Sequence, residues 1–438
     1  MKRELRLAIL VAAILMTAFI LTVAVTEKSN MNSIREYYST QQLQKTADSN
    51  ISLPAPSKDA YEFEANKVTV WIISILWGMA VPAFFLFSGL SARLRKWIDS
   101  KTSSFIISAA LFFLIYSVYS FLLNLPLDFY SGFIRLHSFG LSNQTFAKWV
   151  SDSLISAGIS TLIGTIIVWV PYLVIRKSPK RWWLYIGLLS IPAMTFMMYI
   201  SPLYIDPLFN KYIPLKNKTL ETEIYQLLDK TTIGNCQIYG IEKSVDTKQM
   251  NAYMTGMFGS KRIVLWDTTM NNLDDKEVLT IVAHEMGHYA LGHIWKGILL
   301  GGLLTIIGLF IVNKVSLWII AKSGGTFGFT KLGDIASLPL LFLVFNLVMF
   351  AANPIINGVS RYQEHQADTY ALELTKDNYS FSSSMIKLHQ TSLSLPNPGP
   401  VYEFWVYDHP TLKERVDFAA SYKPWEKNKP LEFREYIK

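Results

Sequence analysis

The 438-residue sequence contains a single cysteine, Cys236. One thiol excludes an internal disulfide and any cysteine-based metal site. Charge is scarce as well. Only 17% of the residues are Asp, Glu, Lys or Arg, where soluble domains carry about a quarter. No internal repeat or low-complexity tract is present, which excludes a solenoid. What fills the chain instead is apolar: 51% hydrophobic and 14% aromatic residues, with a mean hydropathy of +0.25. The net charge of +8 would suggest nucleic acid in a soluble protein. Here the basic residues cluster in short loops between apolar runs, which is the topogenic pattern and excludes a nucleic-acid partner in favour of the lipid bilayer.

Seven apolar runs are long enough to span a bilayer as helices, at about 5–26, 68–92, 103–125, 153–175, 182–204, 295–320 and 336–360. The first follows a basic start but is too long for a signal peptide and lacks a cleavage site, so it reads as an uncleaved anchor. Lys2, Arg3 and Arg6, the 93–101 loop and the 176–181 hairpin all belong to one side. The positive-inside pattern assigns that side to the cytoplasm and the 205–294 block to the other. The expected architecture is a mainly α, polytopic membrane protein. It divides into 1–204 (five spans and two extra-membrane loops, 27–67 and 126–152), a small α/β domain at 205–294, two further spans at 295–360, and a helical C-terminal part at 361–438.

Within 205–294, apolar spacing predicts a helix over 220–229 and alternation predicts a strand over 237–241. Segments 251–258 and 261–266, meeting at Gly259-Ser260, read as a β-hairpin. Asp274 and Glu277 form a capping box, with Leu273 and Val278 placed as a hydrophobic staple. The helix so begun is expected to run through His284-Glu-Met-Gly-His288 and continue into the sixth span.

Two histidines four apart on a helix project from one face, which suits two imidazoles gripping one zinc. Glu285 can then serve as general base on water at that metal. A catalytic zinc takes three protein ligands, and Glu364 is the best third. It follows the seventh span, and two crossings return the chain to the side of His288. Asp368, one turn further on, faces the same way and would hold a ligand histidine by its second ring nitrogen. The bland alternative is a juxtamembrane pair of surface carboxylates. His365 lies about 100° round that helix and should face elsewhere. His293, five beyond His288 on a continuous helix, points away from the ligand face and reads as a packing or interfacial residue. His137 and His389 have no ligand spacing and read as structural or solvated. His409-Pro410 reads as an extended dipeptide before a helix capped by Thr411 with Glu414.

Taken in order, these segments resemble one family. Pro207-Leu-Phe, Asn251-Ala-Tyr, Lys261-Arg-Ile-Val-Leu-Trp-Asp267, His284 to His293, Ser360-Arg with Glu364-x-x-x-Asp368, and His409-Pro with Glu414-Arg415 are similar to the type I CAAX prenyl proteases. Asn143-Gln-Thr resembles that family's loop after the third span, and Gln363 and His365 depart from its usual aromatics. The resemblance implies an integral-membrane gluzincin metalloendopeptidase, with seven helices forming a barrel around a chamber. It implies one Zn2+ held by His284, His288 and Glu364, with Glu285 as base. It further implies that Asn251 and Ala252 bind the backbone of a peptide or membrane-protein substrate. His409 would contact substrate or its oxyanion, and Arg415 would hold carboxylates near the site. Eukaryotic members face their site to the cytoplasm, against the charge pattern above. The alternative of another class is a seven-helix transporter or receptor without protease activity, in which 205–294 is a regulatory insert.

Overall fold

The computed structural model describes residues 1–40 and 53–438. The first span lies in α1 (Arg3–Thr40), which runs well past residue 26 into the expected 27–67 loop. No glycine or proline stops it, and Met31 and Ile34 continue its apolar stripe against Tyr61 and Leu395. Residues 41–52 of that loop lie outside the described residues. Ser57 caps α2 (Lys58–Phe87), accepting from the Ala60 N–H. The chain then turns at left-handed Gly89 into the short α3 (Leu90–Asp99), ending the second span sooner than expected.

The third span, α4 (Phe105–Phe129), passes through a π-helical turn at 130–134 into α5 (Arg135–Ser138). Most of the expected 126–152 loop is therefore helical. Phe129 and Phe133 stack together and pack at a tilt against Trp149 of the next helix, which extends the packed wall beyond the span itself. The fourth span is split at Val168 into α6 (Phe146–Ile167) and α7 (Trp169–Lys177). Pro171 removes a backbone donor at that break. Next comes α8 (Trp182–Ile200), the fifth span.

The α/β domain holds a four-stranded sheet in the order β1-β2-β4-β3. Its strands are β1 (Tyr212–Ile213), β2 (Gln237–Ile241), β3 (Ala252–Thr255) and β4 (Arg262–Trp266). β2 and β4 are parallel, and β1 and β3 pair antiparallel at the two edges. β3 and β4 make the expected hairpin, but through a longer connection than Gly259-Ser260. Gly256 sits at φ 86° there, and a Cβ on it would meet the Ser260 carbonyl oxygen at 2.1 Å. One face of α9 (Lys218–Asp229) buries Leu220, Ile224, Leu227 and Leu228 beside the sheet. α10 (Asp267–Asn272) leads to α11 (Asp275–Ala290), the helix of the paired histidines.

α12 (His293–Ser323) and α13 (Leu338–Thr375) are the sixth and seventh spans. α14 (Asn378–Thr391), α15 (Pro400–Val406) and α16 (Leu412–Ser421) complete the helices beyond them. Among the described residues, seven helices are long and apolar enough to cross a membrane. They close on one another in a ring: α1 packs on α2, α2 on α4, α4 on α6, α7 on α8, α8 on α12, and α12 on α1. α13 packs against both α2 and α12. The apolar windows of these spans are between 6% and 39% buried, which leaves most of their surface for lipid and for the enclosed chamber.

The basic segments meet at one end of the ring. The Lys2 N–H donates to the Lys322 carbonyl, Arg95 pairs with Asp334 at 2.9 Å, and Gly333 lies against Arg176. The α/β domain occupies the other end. There the 139–145 turn docks on it through the Asn143 and Gln144 N–H groups, which both donate to the Asp246 carbonyl.

Candidate metal centre

Everything at this centre depends on where α11 points. Its start is fixed by the expected capping box, in which Asp274 accepts from the Glu277 N–H and Glu277 accepts from the Asp274 N–H. Ser383 and Lys387 of α14 also reach Glu277, so the cap is anchored to the C-terminal part. Val278, Ile281, Val282 and Met286 then bury the helix's core face with Leu273. That leaves His284, Glu285 and His288 for other neighbours. Gly287 brings α13 close: a Cβ there would meet the Ala367 Cα and Tyr370 Cβ at 3.1 Å each.

Across this close contact stands Glu364. Its Oε2 is 3.2 Å from His284 Nε2 and its Oε1 is 3.3 Å from His288 Nε2. The two ring nitrogens are themselves 3.1 Å apart. Two imidazoles and a carboxylate thus converge through their lone-pair atoms. Glu364 Oε2 is buried without a hydrogen-bond donor. A buried carboxylate oxygen without a donor is costly unless a cation completes it. The donor set, two neutral nitrogens and one hard oxygen, fits a divalent metal of the zinc kind.

The surroundings hold the outer ring atoms. His284 Nδ1 lies 2.9 Å from Asp368 Oδ1. Asp368 in turn accepts from Arg415 Nε and from its terminal nitrogen at 2.9 and 2.5 Å, with both residues buried. Arg415 comes from α16, whose Thr411–Glu414 capping box is formed as expected. His409, just before that helix, is half-exposed and sets its Nε2 3.2 Å from Glu364 Oε2, while its Nδ1 lies 2.8 Å from Asp408. The structure therefore brings His284, Glu285, His288, Glu364, Asp368, His409 and Arg415 together.

Glu285 is half-buried. Burial pushes its carboxyl above the usual range, against the pull of the His284 and His288 rings and of a hydrogen bond from the Met254 N–H. That last contact links the metal helix to β3. Trp266 N–H donates to the Asn251 carbonyl, so the antiparallel alternation turns the backbone groups of Ala252 and Met254 to the open edge of the sheet. The Asn251 side chain is exposed beside them, and Ala252 buries its methyl in the core.

One expectation fails here. α11 does not continue into the sixth span but ends at Ala290, and Gly292 takes a left-handed conformation at φ 68°. The chain is redirected, and His293 returns to place its Nδ1 2.9 Å from His288 Nδ1. Its Nε2 is 3.2 Å from Gln366 Oε1. His293 is thus a neighbour of the His284–His288–Glu364 cluster rather than a residue pointing away. The signal was present in Gly292, a helix-stop residue read through because apolar residues resume beyond it. Nothing in the sequence singled out Gln366.

The remaining histidines sit as expected. His365 faces away and packs on Phe418, with ring centroids 4.4 Å apart. His137 is held between the Phe133 and Gln144 carbonyls. His389 contacts the Met385 carbonyl, and burial, with Arg415 nearby, lowers its pKa to about 4.

Known proteins resemble the chain over most of its length. Residues 214–423 match peptidase family M48, and residues 33–211 match the CAAX prenyl protease N-terminal region of five membrane helices. An uncharacterized metalloprotease of Bacillus subtilis is 38% identical, over 84% of this chain and 87% of its own length. CAAX prenyl protease 1 of Saccharomyces cerevisiae is 32% identical over 68% of each chain. The crystal structure of S. mikatae Ste24p superposes with a TM-score of 0.73 at 26% identity, over 92% of this chain and 99% of that one. These relatives give the transporter or receptor alternative no support. The chain belongs to peptidase family M48, as a multi-pass membrane metalloendopeptidase related to the CAAX prenyl proteases.

Proposed function

We propose that the protein is a zinc endopeptidase that hydrolyses extended peptide or membrane-protein segments. His284, His288 and Glu364 would hold one Zn2+. The observation that carries this is the convergence of two imidazole nitrogens on the two oxygens of one carboxylate, of which the buried Oε2 makes no hydrogen bond. A zinc ion there supplies a Lewis acid that acidifies water and polarises a peptide carbonyl. Glu285, kept basic enough by partial burial, takes the proton from the attacking water and returns it to the leaving amine. His409, half-exposed with its Nε2 3.2 Å from Glu364 Oε2, offers Nε2–H to the developing oxyanion.

Substrate backbone is bound at the sheet edge. The outward groups of Ala252 add an extended peptide as a further strand, and the Asn251 side chain contacts it from beside that edge. The Met254 N–H contacts the Glu285 carboxylate, so a peptide bound along β3 lies beside the general base. Asp368 fixes the tautomer of His284, and Arg415 neutralises Asp368.

Glu285→Gln tests the assignment. The purified variant should keep its zinc by elemental analysis and lose at least about 100-fold in peptide cleavage. Cleavage at the wild-type rate by that variant would remove Glu285 as the base. Glu364→Ala should lose the metal, and unchanged stoichiometry would remove it from the ligand set.

A further inference from the structure

We propose that His293 is a positioning residue that holds the His288 ring for metal binding, with Gln366 setting the tautomer of His293. The inference rests on the reading of His288 as a ligand. His288 presents Nε2 to Glu364 and His284, so that nitrogen must be free of its proton when it binds metal. The proton then sits on Nδ1, which needs an acceptor. His293 Nδ1 is 2.9 Å away and supplies a lone pair. That choice leaves the proton of His293 on Nε2, 3.2 Å from Gln366 Oε1. The Gln366 amide nitrogen donates to the Tyr362 hydroxyl at 3.3 Å, which orients its oxygen toward His293. The chain Tyr362–Gln366–His293–His288 therefore has one consistent set of donors.

The two ligand histidines are supported unequally. His284 has a carboxylate behind it, itself neutralised by Arg415, whereas His288 has a neutral ring. A second carboxylate behind His288 would add buried negative charge beside Glu364 and Glu285 without a cation to offset it. An imidazole relay orients the ring at no such cost. It also explains why the chain turns at Gly292: a continuous helix would carry position 293 about 140° round from 288.

The test is zinc affinity of the full-length protein in detergent, measured by competition with a chromogenic chelator. His293→Leu removes the acceptor and should weaken zinc binding about 10–100-fold. In His293→Asn the amide oxygen falls near the native Nδ1, and affinity should return to within a few-fold of wild type. The d–d spectrum of the Co2+ form should shift in His293→Leu and recover in His293→Asn. Wild-type affinity in His293→Leu, or equal loss in both variants, would overturn the inference. Should His293→Leu not fold, Gln366→Leu against Gln366→Glu discriminates as well: the first should lose affinity several-fold and the second keep it, and equal values would reject the relay. His288→Ala is the separate control. Undiminished zinc there removes the ligand reading itself, whereas loss there with wild-type affinity in His293→Leu removes the relay alone.

Discussion

At the scale of single residues, the centre depends on charges that are safe only while paired. Asp368 is 1% exposed and its counter-ion is Arg415. Removing one partner of such a pair leaves a buried charge without compensation, at a cost of about 3–5 kcal/mol. Arg415→Met should therefore lower thermal stability by that order and reduce zinc content, since Asp368 no longer holds His284 in register. Differential scanning fluorimetry with elemental analysis checks both. His389 gives a pH dependence of known sign. Its pKa is depressed from 6.5 to about 4, so its neutral form stabilises the fold fully above pH 6.5. That contribution is lost as pH falls toward 4, by up to about 3 kcal/mol. His389→Gln should flatten the loss of melting temperature between pH 7 and pH 4.5. That His284, His288, Glu364 and Asp368 come together was legible from spacing and span parity alone. His409 and Arg415 were not, because the physics of His-Pro before a capped helix points to structure, and only family resemblance marked them. His293 was missed for a different reason: its placement depends on one backbone torsion at Gly292.

Among elements, the decisive contact is α11 against α13. The two helices can approach because position 287 has no side chain, and a Cβ there already presses on Ala367 and Tyr370. Gly287→Leu should force the helices apart and carry Glu364 away from the histidines. The expected result is loss of zinc and of cleavage together, with the membrane ring still assembled in detergent by size-exclusion chromatography. Gly292→Ala places a Cβ in a left-handed conformation, costing about 1–2 kcal/mol and favouring continuation of α11. Sheet and helices of the α/β domain followed the apolar periodicity closely: 237–241 is a strand and 220–229 falls within a helix. The errors fell at joins. Helices α1 and α4 overran their apolar runs because periodicity of hydropathy marks where lipid ends, not where the backbone stops being helical.

For the whole molecule, the ring separates a basic end from a catalytic end. Cysteines placed at Lys101 and at Asn217, each in a Cys236→Ser background, should react with a membrane-impermeant maleimide from opposite faces of sealed vesicles. Labelling from the same face would contradict the span count. The ring also reaches into the chemistry. Residues 397–407 are strapped to two membrane helices, α1 and α13. Asn30 donates to the Asn397 carbonyl, Glu27 accepts from the Gly399 N–H, Asn357 donates to the Trp405 carbonyl, and Arg361 donates to the Tyr407 carbonyl. This strap delivers His409 to Glu364. Glu27→Ala should leave zinc content unchanged while lowering kcat about 10–100-fold through misplacement of His409. The sequence hides this link because its partners lie 372 residues apart.

The order of the parts along the chain has a further consequence. The two imidazoles emerge from the ribosome well before Glu364, and Arg415 comes later still. A nascent chain inserting into the bilayer thus carries two of the three side chains of the candidate metal centre. On the proposed assignment the centre can close only after the seventh helix has been threaded and the last segment has folded back.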